Sequence, residues 1–369
     1  MGFQFRVKNR CVSSRMGTLI TRNGKVQTPV FMPVGTAGTV KAITQEWLLE
    51  LKSSIVLANT YHLNLRPGLD VINESDGLHN FMGWEGAILT DSGGYQVFSH
   101  RNLTSVSEEG VNFRSHLDGR SEFITPERAI EIQHNLRSDI IMVFDECTNY
   151  PCTEQEARES MLRSMRWAKR CRTVHKSNEQ ALFGIVQGSV FPSLRKESLD
   201  RLMEIGFHGI ALGGFSVGEP RNQMFEILEQ LSESLPPEKP RYLMGVGTPL
   251  DLLNCVKLGI DMFDCVLPTR NARNGMLFTS LGPLRIKNAR YKKEQGPIDP
   301  DCNCFVCLRY SRAYLRHLFV SGEILSNMLN TFHNLHFYLK LMRKIRESII
   351  LGTFDSFSKT FKERYSSVE

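Results

Sequence analysis

Short apolar runs alternate with amphipathic segments from about residue 45 to residue 266, and this rhythm predicts an α/β fold built on parallel strands. About eight such units within 369 residues predict closure into a (β/α)8 TIM barrel with insertions rather than an open sheet. Past roughly residue 280 the alternation stops, and the chain becomes basic, cysteine-bearing and then helical. The expected division is therefore a catalytic barrel with an N-terminal β hairpin over 1–280 and a smaller C-terminal subdomain over 281–369.

Each element has a local reason. Residues 17–22 and 25–32 flank Asn23-Gly24, the strongest two-residue hairpin signal, so the chain opens as antiparallel β. Strands are expected at 54–58, 87–90, 140–144, 182–186, 209–212, 242–246 and 262–266. Amphipathic helices are expected at 45–52, 127–136, 154–169, 194–205, 221–231 and 249–258. Thr125-Pro126 and Thr248-Pro249 each set a capping hydroxyl before a proline at the first helical position. Two long inserts, 59–86 and 92–124, interrupt the pattern, and the second contains a hairpin about Asp118-Gly119.

Composition narrows the class. Apolar residues at 41% and charged residues at 23% are ordinary for a globular protein. No apolar run approaches the roughly 20 residues of a membrane span, and the first residues lack a secretory apolar stretch, so no membrane partner and a cytoplasmic location are expected. The net charge of +6 is modest, but it is unevenly placed. Between Arg285 and His317 stand eight Lys or Arg (285, 287, 290, 292, 293, 309, 312, 316) against three acids (294, 299, 301). Of nine cysteines, six are scattered and read as reduced thiols, whereas three cluster.

The cluster is Cys302-x-Cys304-x-x-Cys307, three soft ligands within six residues. Tetrahedral zinc wants four, and His317, His333 or His336 could supply the last; spacing alone leaves that open. Four protein ligands leave no open position, so one structural Zn2+ is the expected cofactor.

Two aspartates end apolar runs at glycine- or proline-marked turns: Thr90-Asp91-Ser92-Gly93-Gly94-Tyr95 and Phe263-Asp264-Cys265-Val266-Leu267-Pro268. Two carboxylates delivered from separate strand ends suit bond-breaking at a sugar carbon, one to attack and one to move the proton. Barrel chemistry sits at C-terminal strand ends, where these motifs fall. Phe144-Asp145-Glu146 and Val186-Gln187-Gly188 end further strands with side chains suited to a purine edge; Asp145 accepts from a guanine's N–H groups and Gln187 donates to its carbonyl. An Asp-Glu pair would equally serve a metal or a helix cap. Gly213-Gly214-Phe215-Ser216-Val217-Gly218-Glu219 adds backbone amides and an acid but lacks the Lys and Thr of a phosphate loop. Tyr95 offers a face on which a base can stack. Arg270 and Arg273, just beyond Asp264, are placed to hold neighbouring phosphates.

Together and in this order, these segments resemble the tRNA-guanine transglycosylases over about residues 15–350. The resemblance implies that Asp264 attacks the ribose anomeric carbon to give a covalent RNA–enzyme intermediate, and that Asp91 is the proton acceptor and donor. It places Asp91, Ser92, Tyr95, Asp145, Gln187, Gly214, Phe215, Glu219 and Met244 at the base, and Gly245, Thr269, Arg270 and Arg273 at the RNA. It favours His333 as the fourth zinc ligand. It implies a homodimer acting on tRNA whose anticodon loop carries U-G-U, with a free 7-deazaguanine base as second substrate.

One departure bears on that base. Bacterial relatives carry Gly-Gly-Leu-Ala-Val-Gly-Glu where this chain has Phe215 and Ser216. Cys147, Val217 and Glu219 keep the bacterial pattern, so 7-aminomethyl-7-deazaguanine is the expected incoming base, with queuine as the alternative. A retaining glycoside hydrolase would also need two carboxylates, but only three tryptophans and the cysteine knuckle speak against it. A non-catalytic tRNA-binding subunit would not be expected to keep both Asp91 and Asp264.

Overall fold

The computed structural model describes residues 2–94 and 104–365. Its centre is a ring of parallel strands: Ile55–Ala58, Ala87–Thr90, Ile140–Met142, Ala181–Val186, Gly209–Leu212, Arg241–Leu243 and Met262–Asp264 pair in chain order. The first barrel strand closes the ring in two halves. Val30–Met32 pairs with Met262–Asp264, and Val34–Gly35 pairs with Leu57–Ala58 on the other side. Pro33 separates the halves, and its carbonyl accepts from the Leu57 amide at 3.0 Å, so pairing switches neighbour without a gap. The expected eight-stranded barrel is what forms.

The first strand is also where the sequence reading needs correction. Residues 25–32 do not form one hairpin strand. Ser14–Thr21 pairs antiparallel with Gly24–Thr28 about Asn23, as expected, and Pro29 then ends that ladder. Val30–Met32 turns into the barrel, because a proline cannot donate to an antiparallel neighbour. Gln4–Cys11, not anticipated, adds a third antiparallel strand. Three barrel strands are shorter than their apolar runs. Phe144, Val246 and Cys265 stay buried beyond the last ladder pair, so hydrophobicity runs on where the backbone has already left the sheet.

Helices cover the ring. The Glu154–Val174 helix starts in a capping box between Thr153 and Glu156, and Pro249–Lys257 starts in one between Thr248 and Asp251. The second insert carries a three-stranded antiparallel sheet of Thr104–Val106, Val111–Arg114 and Ser121–Ile124. Beyond 280, the 27-residue helix Ile324–Ile350 is the organiser. Its Phe337, Tyr338, Leu341, Met342 and Ile345 join the barrel's core, while Leu329, Phe332 and Leu335 join the core around the cysteines. Hydrophobic packing thus crosses residue 280 in both directions. No helix among the described residues is long and apolar enough to cross a membrane.

Candidate active site and metal centre

The rim at the C-terminal strand ends collects the polar groups. Asn59 and Thr60 follow the second barrel strand, Asp91 and Ser92 the third, and Asp145 lies just past the fourth. Gln187 follows the fifth, Gly213 and Gly214 the sixth, Met244 and Gly245 the seventh, and Asp264 ends the eighth.

Asp264 is held by one oxygen only. Its Oδ1 accepts from the Tyr242 hydroxyl at 2.6 Å and from the Gly245 amide at 2.8 Å. Gly245 reaches that position with φ at 73°, a left-handed conformation natural to glycine. Oδ2 accepts no hydrogen bond from any described residue. Loss of water raises the Asp264 carboxyl above the ordinary carboxylate range, and the two donors oppose that rise. The result is a carboxylate with one fixed oxygen and one available oxygen. Tyr242 lies fully buried, and its hydroxyl is pushed well above its usual range by burial first and then by the negative charges of Asp264 and Asp91. That single phenol senses both aspartates.

Asp91 is anchored by both oxygens. Oδ1 accepts from the Thr60 amide at 2.9 Å and the Gly93 amide at 3.2 Å, and Oδ2 accepts from Asn59 Nδ2 at 2.5 Å. The Thr60 hydroxyl in turn donates to the Asp91 carbonyl. Such a cradle fixes the direction of the carboxylate at the rim.

Asp145 and Gln187 form a pair. Gln187 Nε2 donates to Asp145 Oδ2 at 2.6 Å, and Ser92 Oγ lies 3.4 Å from Oδ1. Burial lifts the Asp145 carboxyl to about 6, against the pull of Gln187 and Ser92. Glu146 takes no part: Arg163 pairs with it at 2.5 Å, which disposes of a metal role for the Asp-Glu step. Gly213 and Gly214 are needed because of Gln187. A Cβ on either would meet the Gln187 amide, at 2.7 and 2.5 Å. Beneath them lies Arg195, wholly buried, which donates to the carbonyls of Ser189 at 2.6 Å, Gly213 at 3.0 Å and Gly214 at 3.2 Å. Phe215 packs over its guanidinium, 3.7 Å from ring centre to Cζ. Glu219 accepts from the amides of Ser216 at 2.6 Å and Val217 at 2.9 Å, closing the loop on itself.

The short helix Leu267–Arg273 leaves Arg270 exposed and without an ion pair among the described residues. Arg273 donates back to the Thr269 carbonyl at 2.8 Å, and Thr269 is buried, its hydroxyl turned to the Val266 carbonyl at 3.3 Å. Asn334 pins this helix by donating to the carbonyls of Pro268 and Met276, both at 3.0 Å, while accepting from the Phe278 amide at 3.0 Å.

The metal centre lies on the same long helix. Ligand atoms of Cys302, Cys304, Cys307 and His333 all lie within 4.8 Å of one another. His333 Nδ1 is 3.8, 3.6 and 3.3 Å from the three sulfurs. Zn–S and Zn–N bonds at tetrahedral angles imply ligand separations of about 3.5–3.8 Å, so the donor set fits one zinc ion. His333 Nε2 donates to the Phe278 carbonyl at 2.8 Å, which fixes the ring with Nδ1 toward the thiols. His336 reaches only Cys302, at 3.4 Å, and His317 sits exposed on the Arg312–Val320 helix. The choice left open by spacing falls to His333.

Of the residues singled out from sequence, Asp91, Ser92, Asp145, Gln187, Gly214, Met244, Gly245 and Asp264 all belong to the rim. Tyr95 lies outside the described residues. Sequence reasoning missed Tyr242, Asn59, Thr60 and Arg195. Asn59-Thr60 directly after a strand was a legible signal; Tyr242 inside an apolar run and Arg195 inside an amphipathic helix were not.

A closed α/β barrel with three aspartates at its C-terminal rim, one of them with an available oxygen, has the parts that barrel enzymes use to break a bond at a glycosidic carbon. The family is more particular. Residues 11–367 match the family described as queuine tRNA-ribosyltransferase. Queuine tRNA-ribosyltransferases of Methylobacillus flagellatus (55% identical; 95% of this chain and 95% of the relative covered) and Zymomonas mobilis (54%; 98% and 95%) are similar throughout. That of Acinetobacter baumannii is 52% identical over 95% of this chain and 94% of its own length. The chain belongs to the queuine tRNA-ribosyltransferase family.

Proposed function

We propose that the chain is a tRNA-guanine transglycosylase of queuosine formation that exchanges a wobble guanine by two displacements at the ribose carbon. Asp264 Oδ2 attacks the anomeric carbon as the bond to guanine N9 breaks, and Asp91 manages the proton that lets guanine leave as a neutral base. The incoming 7-deazaguanine gives its N9 proton to Asp91 and displaces Asp264, so configuration is retained. Asp145 and Gln187 read the guanine edge, with Ser92, Gly214 and Met244 around it. The base starts in a single-stranded loop, where extruding it costs a few kcal/mol or less. The observation that carries this reading is the half-held Asp264 carboxylate, one oxygen fixed by Tyr242 and Gly245 and the other available. Trapping on a denaturing gel tests it: wild type retains labelled tRNA as an adduct, and Asp264→Asn retains none.

The incoming base is 7-aminomethyl-7-deazaguanine rather than queuine. Phe215 is buried with its ring stacked on the Arg195 guanidinium, which fixes the ring. Its carbonyl accepts no hydrogen bond from a described residue and can take one from an ammonium, with Glu219 close along the loop. Competition of the two bases for incorporation decides this, and a strong preference for queuine overturns it. Zinc is structural; its ligand His333 ties the Ile324–Ile350 helix to the hairpin of Met276–Thr279 and Gly282–Arg285, and no reaction step runs through the metal.

Exposed Lys287, Arg290, Lys292, Lys293 and Arg309, together with Arg270, supply the cationic surface that tRNA phosphates require. Leu308, 76% exposed, lines a cleft of about 550 Å³ with Tyr310 and Tyr314, and Val320 and Ile324, at the end of one helix and the start of the next, are 60% and 76% exposed. A second copy of the chain is the occupant proposed for that apolar surface. Ile324→Glu is expected to shift the assembly from dimer to monomer in sedimentation, and an unchanged dimer overturns this occupant.

A further inference from the structure

The face of the barrel opposite the rim carries a cavity that the exchange reaction does not use. It has a volume of about 130 Å³ and lies where the Val30–Met32 strand begins. Three separate elements bring cations to it: Lys25 from the Gly24–Thr28 strand, Lys52 from the turn before the second barrel strand, and Arg343 and Arg346 from the Ile324–Ile350 helix. Val30, Phe31, Leu339 and Met342 give it an apolar floor.

No carboxylate lines the cavity, and none of the four cations is in an ion pair among the described residues. Arg346 Nη1 donates to the Pro29 carbonyl at 2.7 Å and Arg343 Nη1 more weakly to the Leu51 carbonyl at 3.4 Å, and their other N–H groups have no acceptor among the described residues. The nearest acid, Glu347, is exposed. Burial and the neighbouring Arg343 hold the Arg346 guanidinium down at about 10, the signature of like charges confined where water is scarce.

Lys52 adds a second oddity. It ends the Gln45–Glu50 helix in a left-handed conformation, φ 59°, with the Lys52 and Ser53 amides bonded back to the Leu49 and Leu48 carbonyls. Glycine or asparagine is the usual occupant of that position. A lysine there, on the lining of a cavity that three other cations share, is unfavourable for the empty fold on conformational grounds.

We propose that this cavity binds the phosphoryl group of a small phosphate ester or diphosphate. Planar guanidiniums match the oxygen spacing of phosphate, and two ammonium groups raise the local charge to suit a dianion or more. At a water's share of about 30 Å³, the space holds one tetrahedral oxyanion and not a whole nucleotide, so the rest of the ligand projects outward. The apolar floor strengthens the attraction by lowering the local dielectric.

The test uses the full metal-loaded chain, titrated calorimetrically with inorganic phosphate and with pyrophosphate at an ionic strength held constant with sodium chloride. Saturable binding is expected for wild type, and a loss of at least about tenfold in affinity for the surface double variant Lys25→Gln, Lys52→Gln. Arg343→Gln is expected to lose as much, whereas Arg270→Gln on the opposite rim keeps wild-type affinity. The proposal is overturned if neither anion binds beyond the chloride control, if the double variant binds as wild type does, or if Arg270→Gln is the variant that loses binding. It is equally overturned if the double variant weakens only tRNA binding, which would make the cavity an RNA backbone contact.

Discussion

Asp261 and Asp264 stand three residues apart at the two ends of one barrel strand, and both carboxyls are raised by burial. Their partners differ entirely. Asp261 meets a cation: Arg15 donates to both its oxygens, and the Arg241 amide adds a third bond at 2.8 Å. Arg15 is itself finished by the Pro237 and Lys239 carbonyls. Asp264 meets only a phenol and an amide, both on one oxygen. The saturated carboxylate closes the bottom of the barrel, and the unsaturated one is left with reactivity at the top. The lesson is that burial alone does not mark a functional acid; the unspent hydrogen-bonding capacity of the buried group does.

Substitutions at the two positions should therefore separate activity from stability. The largest effect is expected at Asp264→Asn, with guanine exchange falling about 10⁴-fold or more in single-turnover assays while urea denaturation shows stability unchanged or raised. Residual exchange within tenfold of wild type would remove the nucleophile. Next, Asp261→Asn leaves Arg15 buried and unpaired, and a loss of about 3–5 kcal/mol is expected in urea denaturation, with near-normal exchange per folded molecule. Equal loss of activity and stability at both sites would erase the contrast.

Smaller effects sharpen it. Tyr242→Phe removes one of the two donors to Asp264, and kcat is expected to fall about 10–100-fold with little change in KM for tRNA. A hydrogen bond to the carboxylate favours its ionised form, so losing it moves the acidic limb of the pH–rate profile upward. A purely structural tyrosine would leave that limb in place. Last, Asp145 must be ionised to accept from guanine, and its carboxyl titrates near 6. Guanine affinity is expected to be flat above that pH and to drop about tenfold per pH unit below it, measured calorimetrically between pH 5 and 8. Asp145→Asn should abolish the dependence.

Much of this was legible in the chain because strand ends and turn glycines leave local marks. Asp91, Asp145, Gln187 and Asp264 each follow an apolar run, and a barrel converts that position into a shared rim. The thiol trio was equally plain, but the fourth ligand was not, since a helix places His333 and His336 almost side by side and only the folded positions of the three sulfurs, with the Phe278 carbonyl orienting His333, decide between them. Tyr242 and Arg195 were hidden because their roles come from partners 22 and 18–19 residues away in sequence. The first barrel strand was misread because a ladder strand and a barrel strand abut with only Pro29 between them, so a single extended run was read where the chain changes neighbours.

The Ile324–Ile350 helix has a consequence for metal supply. His333, Asn334 and Tyr338 fall on adjoining turns, and they grip the thiol knuckle, the Arg270 helix and the Gly247 carbonyl in turn, the last at 2.8 Å. A shortage of zinc would therefore be felt as slackened footing under the anticodon loop, well away from any atom that exchanges bonds.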